Sequence, residues 1–200
     1  MGGIAVDVAK LREEIRTKYV EVVEHPDATF HFHTGLRAAA NAGYLNEWLE
    51  GLPKSSIASF AGVANPFHWG LPHPGERVVD VGSGAGLDSM IAANAVGPRG
   101  SVVGIDMTPE MLTKSRRNAD ELGFSHVSFR EGLAEAIPVD DGWADVVISN
   151  GVINLCADKQ AALAEIHRVL RPGGVLQFAD IANGRPVPPE ALRDIDLWTG

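Results

Sequence analysis

The sequence predicts an α/β fold: a mostly parallel sheet flanked by helices, preceded by a separate helical segment. Three observations predict it. From Glu76 onward, short β-branched runs alternate with stretches of helical spacing. The first such run, Arg77–Val81, ends in a cluster of glycines. Before residue 75 no such alternation occurs. Strands that alternate with helices need crossover connections, and these are right-handed and leave the strands parallel.

The elements follow in order. Val8, Leu11, Ile15, Tyr19 and Val22 recur at steps of three and four, which predicts an amphipathic helix over 6–24, stopped by Pro26. Thr29–His33 alternates and reads as extended, with His31 and His33 on one face. A second helix is expected over 35–51, with Gly51 and Pro53 as its terminator. Residues 1–74 thus form a helical N-terminal cap, and 75–200 the core.

In the core, Arg77–Val81 is the first strand, and Leu87, Met90, Ile91 and Ala95 mark the helix after it. Gly97-Pro98-Arg99-Gly100 turns into a second strand, Ser101–Ile105. Thr108 is placed as an N-cap, with Pro109 at the first helical position and Glu110 in the first turn of a helix reaching Gly123. His126–Arg130 and Ala144–Ser149 are the third and fourth strands. A helix over 158–170, closed by Pro172-Gly173-Gly174, leads to the fifth, Val175–Ala179.

Bulk properties narrow the function. A chain of 200 residues is one domain's worth, with a formal net charge of −9. Nucleic acid and anionic membrane are excluded as partners, because phosphate binding needs a basic surface. The single cysteine, Cys156, excludes an intrachain disulfide and fits a reducing, cytoplasmic setting. No signal peptide is expected, since residues 1–25 carry charges throughout. Val6 stands where an N-terminal acylation motif wants Ser or Thr. No apolar run approaches the roughly 20 residues that cross a bilayer.

The segment Asp80-Val81-Gly82-Ser83-Gly84-Ala85-Gly86 carries the first chemical signal. It lies between a strand and a helix, where glycines let the backbone approach a ligand closely. A dinucleotide fingerprint would put its third glycine one residue later, at the place of Leu87. Asp80 would repel a pyrophosphate but attract an ammonium, which favours a ligand with an amino-acid end. A nicotinamide-dependent oxidoreductase is the rival reading. The second signal is Asp106, 24 residues after Gly82 at the end of the second strand, where a carboxylate can accept from both ribose hydroxyls. Met107 and Met111 are placed to flank a purine, Ala134 and Glu135 to hold its edge, and Asn150 faces the crevice.

The runs Asp80–Gly86, Gly104–Met111 and Arg168–Gly174 resemble three successive signatures of class I S-adenosylmethionine-dependent methyltransferases. The resemblance implies a Rossmann-like three-layer αβα sandwich, S-adenosylmethionine as cofactor and a small-molecule methyl acceptor. It further implies cofactor contacts from Asp80, Gly82, Ser83, Gly84, Gly86, Asp106, Met107, Met111, Ala134, Glu135 and Asn150. Within the class, Gly104–Met111, Val147–Leu155 and Gly62–Pro66 are most similar to arsenite methyltransferases and their relatives. There Tyr19 matches a tyrosine that reaches the cofactor.

The sequence departs from that pattern in two respects. Positions that hold arsenic-binding cysteines in the family are Val63 and Gly151 here. Cys156 matches no ligand position and reads as a buried structural thiol. The class also has seven strands, of which five can be placed, so the last two are expected to be missing. The exposed sheet edge would then call for a covering partner or a homo-oligomer. His31 and His33 have no clear third metal ligand, so no metal is expected. His68 and Trp69 are candidates either for a substrate pocket or for packing, and His167 is expected on the surface. The function expected is methyl transfer to a small molecule without the arsenic-binding thiols. The alternatives are a catalytically silent cofactor-binding module and a C- or S-methyltransferase of an unrelated metabolite.

Overall fold

The computed structural model describes residues 7–25, 28, 30 and 32–185. The proposed extension of Thr29–His33 depends on residues 29 and 31, which lie outside that set, as do 186–200. Four helices come first: α1 (Val8–Glu24), α2 (Gly35–Asn41), α3 (Asn46–Leu49) and α4 (Lys54–Ala58). A 3-10 turn at Pro66–Trp69 leads to β1 (Arg77–Val81), α5 (Leu87–Val96), β2 (Ser101–Asp106), α6 (Pro109–Glu121) and β3 (Val127–Glu131). Then come β4 (Ala144–Asn150), a 3-10 turn at Ile153–Leu155, α7 (Lys159–Val169) and β5 (Leu170–Ala179).

The five strands pair in parallel in the order β3-β2-β1-β4-β5. The chain winds outward from β1 on one side and restarts at β4 on the other. The carboxyl ends of β1 and β4 therefore flank a switch point, where such sheets bind ligands. Side chains alternate across the sheet. Val78, Val102, Val146 and Ile148 pack with α5 on one face, while Val79, Val81, Val103, Ile105 and Val147 pack with α7 on the other. With both faces covered, the strands read as continuous apolar runs rather than alternating ones.

The expected helix over 35–51 is in fact broken. Gly43 takes φ 80, and its N–H and that of Tyr44 reach back to the carbonyls of Ala40 and Ala39 at 3.1 and 3.0 Å. These bonds satisfy the helix's last carbonyls and end it. The break sets Tyr44 edge-on against Trp48, Phe60 and Phe67. Tyr44, Phe60 and Phe67 share one core cluster with β1 and α5, so the N-terminal helices are packed onto the sheet.

Two other expectations are corrected. Pro172-Gly173-Gly174 does not separate α7 from a later strand: β5 begins at Leu170, directly after the helix, and shifts register between Ala144 and Val146. A proline is tolerated there because β5 is an outer strand. Thr108 stands at the N-cap of α6 but makes no side-chain capping bond. Instead the Asp106 carboxylate accepts from the Thr108 N–H at 2.8 Å.

α1 begins at Asp7, whose carboxylate accepts from Lys10 N–H at 3.1 Å. It buries Leu11, Ile15 and Val22. Lys114 of α6 fastens its far end by donating to the Val23 carbonyl at 3.0 Å and to Ser59 Oγ at 2.8 Å. The Phe129 ring of β3 fills space that Gly86 and Gly104 leave. A Cβ there would come within 3.0 and 2.5 Å of it.

Candidate cofactor site

The loop from β1 to α5 folds back over the end of β2. Gly82 and Ser83 both donate their N–H to the Ile105 carbonyl, at 2.8 and 2.9 Å. Gly82, Gly84 and Gly86 take φ of 74, 51 and 88, a left-handed conformation that favours glycine. Their surroundings differ. A side chain at Gly82 would overlap Val152 at 2.1 Å, and one at Gly86 would press on Phe129 and Ser115. At Gly84 the nearest atom is Met111 Sδ at 3.9 Å, so that backbone presents an open face.

Asp106 locks the loop. One carboxylate oxygen accepts from Gly84 N–H at 2.8 Å and the other from Thr108 N–H. The Thr108 hydroxyl and the Met107 N–H also approach the carboxylate, which borders the crevice. Between this carboxylate and the end of β4 lies a crevice of about 1060 Å³, counted out to its open mouth. Of the residues singled out from sequence, Tyr19, Gly82, Ser83, Gly84, Asp106, Met107, Met111, Ala134, Glu135 and Asn150 all line it.

Two do not. Gly86 lies behind the loop against Phe129. Asp80 is 2% exposed, absent from the wall, and accepts a hydrogen bond from Ser89 Oγ at 2.6 Å. The carboxylate at the wall is Asp88, in the first turn of α5, which sequence reasoning passed over. Its oxygens take Tyr44 Oη–H at 2.6 Å and Asn150 Nδ2–H at 3.1 Å. Burial raises Asp88 to about 6, and burial with the Asp88 charge alongside raises Asp80 to about 8. The two carboxylates thus share a site that favours a proton or a cation.

Asn150 reaches the crevice but spends its amide on the opposite wall. Its Oδ1 accepts from the N–H groups of Val63 and Ala64 at 3.0 and 3.3 Å, and its Nδ2 donates to the Ala64 carbonyl at 2.9 Å. The amide thereby stitches the Gly62–Asn65 loop to β4. α1 roofs the crevice with Arg12, Ile15 and Tyr19, and Arg12 pairs with Glu135 at 3.4 Å. Burial, with Asp106 and Asp180 near, pushes the Tyr19 phenol up to about 12. The loop carrying Ala134 and Glu135 is held from α7: Arg168 donates to the Ile137 and Val139 carbonyls, both at 2.8 Å.

Cys156 also lines the crevice. Its thiol donates to the Val152 carbonyl at 3.4 Å, and burial pushes it up to about 12, which keeps it neutral. His68 and Trp69 do not line this crevice, and Trp69 is 88% exposed. His167 is exposed.

The model of a methyltransferase domain matches residues 72–197, more than half of the chain. The chain belongs to the methyltransferase-domain family. Its relatives include the arsenite methyltransferase of Halobacterium salinarum, 36% identical over 97% of this chain and 53% of that protein. The arsenite methyltransferase of Aquipseudomonas alcaligenes is 42% identical over 62% of this chain and 38% of its own length. This methyltransferase-family chain therefore spans about half, or less, of the length of those relatives. Among solved structures, an arsenic(III) S-adenosylmethionine methyltransferase from Chlamydomonas reinhardtii superposes with a TM-score of 0.59 at 36% identity, covering 77% of this chain and 52% of the other. A SAM-dependent methyltransferase from Aquifex aeolicus gives 0.52 at 27% identity, covering 59% and 64%.

The crevice chemistry fits the S-adenosylmethionine that the names of both solved structures carry. Ser83 borders the crevice, with its hydroxyl turned in toward Gly104. Gly84 offers its open face, Asp106 supplies acceptors for a diol, and Asp88 supplies a carboxylate for an ammonium.

Proposed function

We propose that this chain is an S-adenosylmethionine-dependent methyltransferase acting on a small molecule. The observation that carries the reading is the double engagement of Asp106, whose oxygens hold Gly84 and Thr108 while facing the crevice. In this reading Asp106 takes the ribose hydroxyls, and Gly82, Ser83, Gly84 and Asp88 hold the methionine end. Ala134, Glu135 and Met107 border the adenine. Asp80 acts from behind, setting the charge of Asp88.

When bound, the cofactor supplies a methyl group already activated by its positive sulfur. The protein's work is then to align the reactants and keep water out. Ile15 and Tyr19 of α1 serve the second task by roofing the crevice. Asn150 serves the first, as a positioning residue for the Gly62–Asn65 loop. We do not assign arsenite as the acceptor: Val63 and Gly151 carry no sulfur, and the Cys156 thiol is neutral.

Calorimetric titration with S-adenosylhomocysteine tests the site. Asp106→Ala is expected to weaken binding about a hundredfold, the loss of charge-assisted bonds to two hydroxyls. Equal affinity in the variant refutes the assignment.

A further inference from the structure

The break at Gly43 brings a phenol of the N-terminal segment to Asp88. Asn65 Nδ2 donates to the Gly43 carbonyl at 3.2 Å and holds the break. Tyr44 follows, buried, with its ring fixed by Trp48, Phe60 and Phe67 and its hydroxyl on Asp88. Tyr44 itself lies outside the crevice lining and outside residues 72–197, which match the methyltransferase domain.

The hydrogen bonds around Asp88 run in one direction. The N–H groups of Val63 and Ala64 can only donate, so the Asn150 atom they reach is its oxygen, and Nδ2 points the other way. Nδ2 donates to Asp88 Oδ2 at 3.1 Å and to Tyr44 Oη at 3.0 Å. The phenol has one proton, and with Asn150 donating into its oxygen, that proton goes to Asp88 Oδ1 at 2.6 Å. Donors thus meet both oxygens of Asp88, which favours the carboxylate over the acid. Among the described side chains only the Ser89 hydroxyl donates to Asp80. Burial raises both acids, Asp80 the more, and Asp106 adds its charge to Asp80 from the end of β2. Burial also holds the Tyr44 phenol well above its usual range, so it remains a donor. Among the described residues lining the crevice, Arg12 is the one Lys or Arg, and it pairs with Glu135. Tyr19 and Cys156, also on the wall, are kept neutral by burial.

We infer that Tyr44 is a positioning residue: it keeps the negative charge of the Asp80–Asp88 pair on Asp88, at the crevice wall, and leaves the pair's proton on Asp80. The cofactor's ammonium then meets a carboxylate that the N-terminal segment, rather than the glycine loop, has charged and aimed. The ligand's part in this rests on the methyl-transfer reading above; the placement of the charge rests on the hydrogen bonds alone.

Carbon NMR of the side-chain carboxyl groups in the whole chain tests the charge. In the free wild-type protein Asp88 should lose its proton at lower pH than Asp80, an order read without any variant. Tyr44→Phe, which keeps the ring, should move Asp88 up by about one pH unit. Calorimetry tests the ligand's part, with S-adenosylhomocysteine and with 5′-methylthioadenosine, which lacks the amino-acid end. At about pH 6 Tyr44→Phe should bind S-adenosylhomocysteine about fivefold more weakly, and at about pH 8.5 as tightly as wild type. 5′-Methylthioadenosine should bind both proteins alike at either pH. The inference is overturned if Asp80 ionises first, or if the loss of S-adenosylhomocysteine affinity is the same at both pH values, as a merely structural phenol would give. An equal loss with 5′-methylthioadenosine overturns it too. If the carboxyl order holds but neither ligand binds wild type, the methyl-transfer reading falls and the charge placement stands.

Discussion

The Val63 side chain stands 3.0 Å from the point where a side chain at Gly151 would begin. Two segments 88 positions apart therefore meet at one spot beside the crevice, whose wall Gly151 joins. In the arsenite enzymes that this sequence resembles, cysteines stand at those positions; here the spot is apolar. Arsenite should leave the Tm of the wild-type protein unchanged, while that of Val63→Cys/Gly151→Cys should rise with arsenite concentration. The left-handed φ of 70 at Gly151 makes its cysteine cost about 1 kcal/mol, so the variant should start below wild type. An equal arsenite response in both proteins would show that the Val63–Gly151 pair does not exclude the metalloid.

The Asp80–Asp88 pair gives a pH dependence whose sign can be worked out. Burial raises both pKa values, to about 8 and about 6, above the ordinary carboxylate value of 3.8. The folded protein therefore holds protons that the unfolded chain has lost. The pair's contribution to stability is present in full below about pH 4 and lost as pH rises through 6 and then 8. An ammonium bound at Asp88 replaces a proton, so affinity for S-adenosylhomocysteine should rise across the same interval. Calorimetry in two buffers of different ionisation enthalpy would show proton release in wild type and little in Asp88→Asn. A pH-independent Kd would separate the pair from ligand binding.

Gly82 and Gly84 should respond differently to the same methyl group. Gly82→Ala drives a Cβ into Val152 and strains φ, a cost of about 3 kcal/mol in urea unfolding. Gly84→Ala has room and should cost about 1 kcal/mol. Its methyl group occupies the face presented to the ligand, so S-adenosylhomocysteine affinity should fall by about tenfold or more. If Gly84→Ala binds normally, the backbone there does not touch the ligand.

Asn150 should behave as a structural rivet with a functional consequence. Asn150→Ala gives up the bonds to Val63, Ala64, Tyr44 and Asp88, for about 2 kcal/mol. Asn150→Asp should be worse, since it turns an acceptor toward the Ala64 carbonyl and the Asp88 carboxylate. Urea denaturation of both variants checks the order. If aspartate is the milder change, the assigned direction of the amide is wrong.

Much of the core was legible because its signals are local. Val78–Val81 and Val102–Ile105 are apolar runs bounded by glycines, and Asp106 lies at a strand end, where the fold puts ligand groups. What could not be read depends on distant partners. Asp88 has no motif of its own, and only Tyr44 and Asn150, 44 and 62 positions away, identify it as part of the wall. Arg12 likewise acquires a role only through Glu135, 123 positions away. Asp80 shows the same limit: position along the strand gave its proximity to the glycines, but not the Ser89 hydroxyl that bonds it. The break at Gly43 had a local signal, a glycine within a helical pattern, and the apolar spacing on either side outweighed it.

The Phe129 ring has a consequence beyond packing. It is wedged beneath Gly86 and against Gly104, and so acts as a shim under the glycine loop. Changing the thickness of that shim tilts the platform on which the loop rests. A residue that no ligand touches can thus retune recognition from beneath the loop.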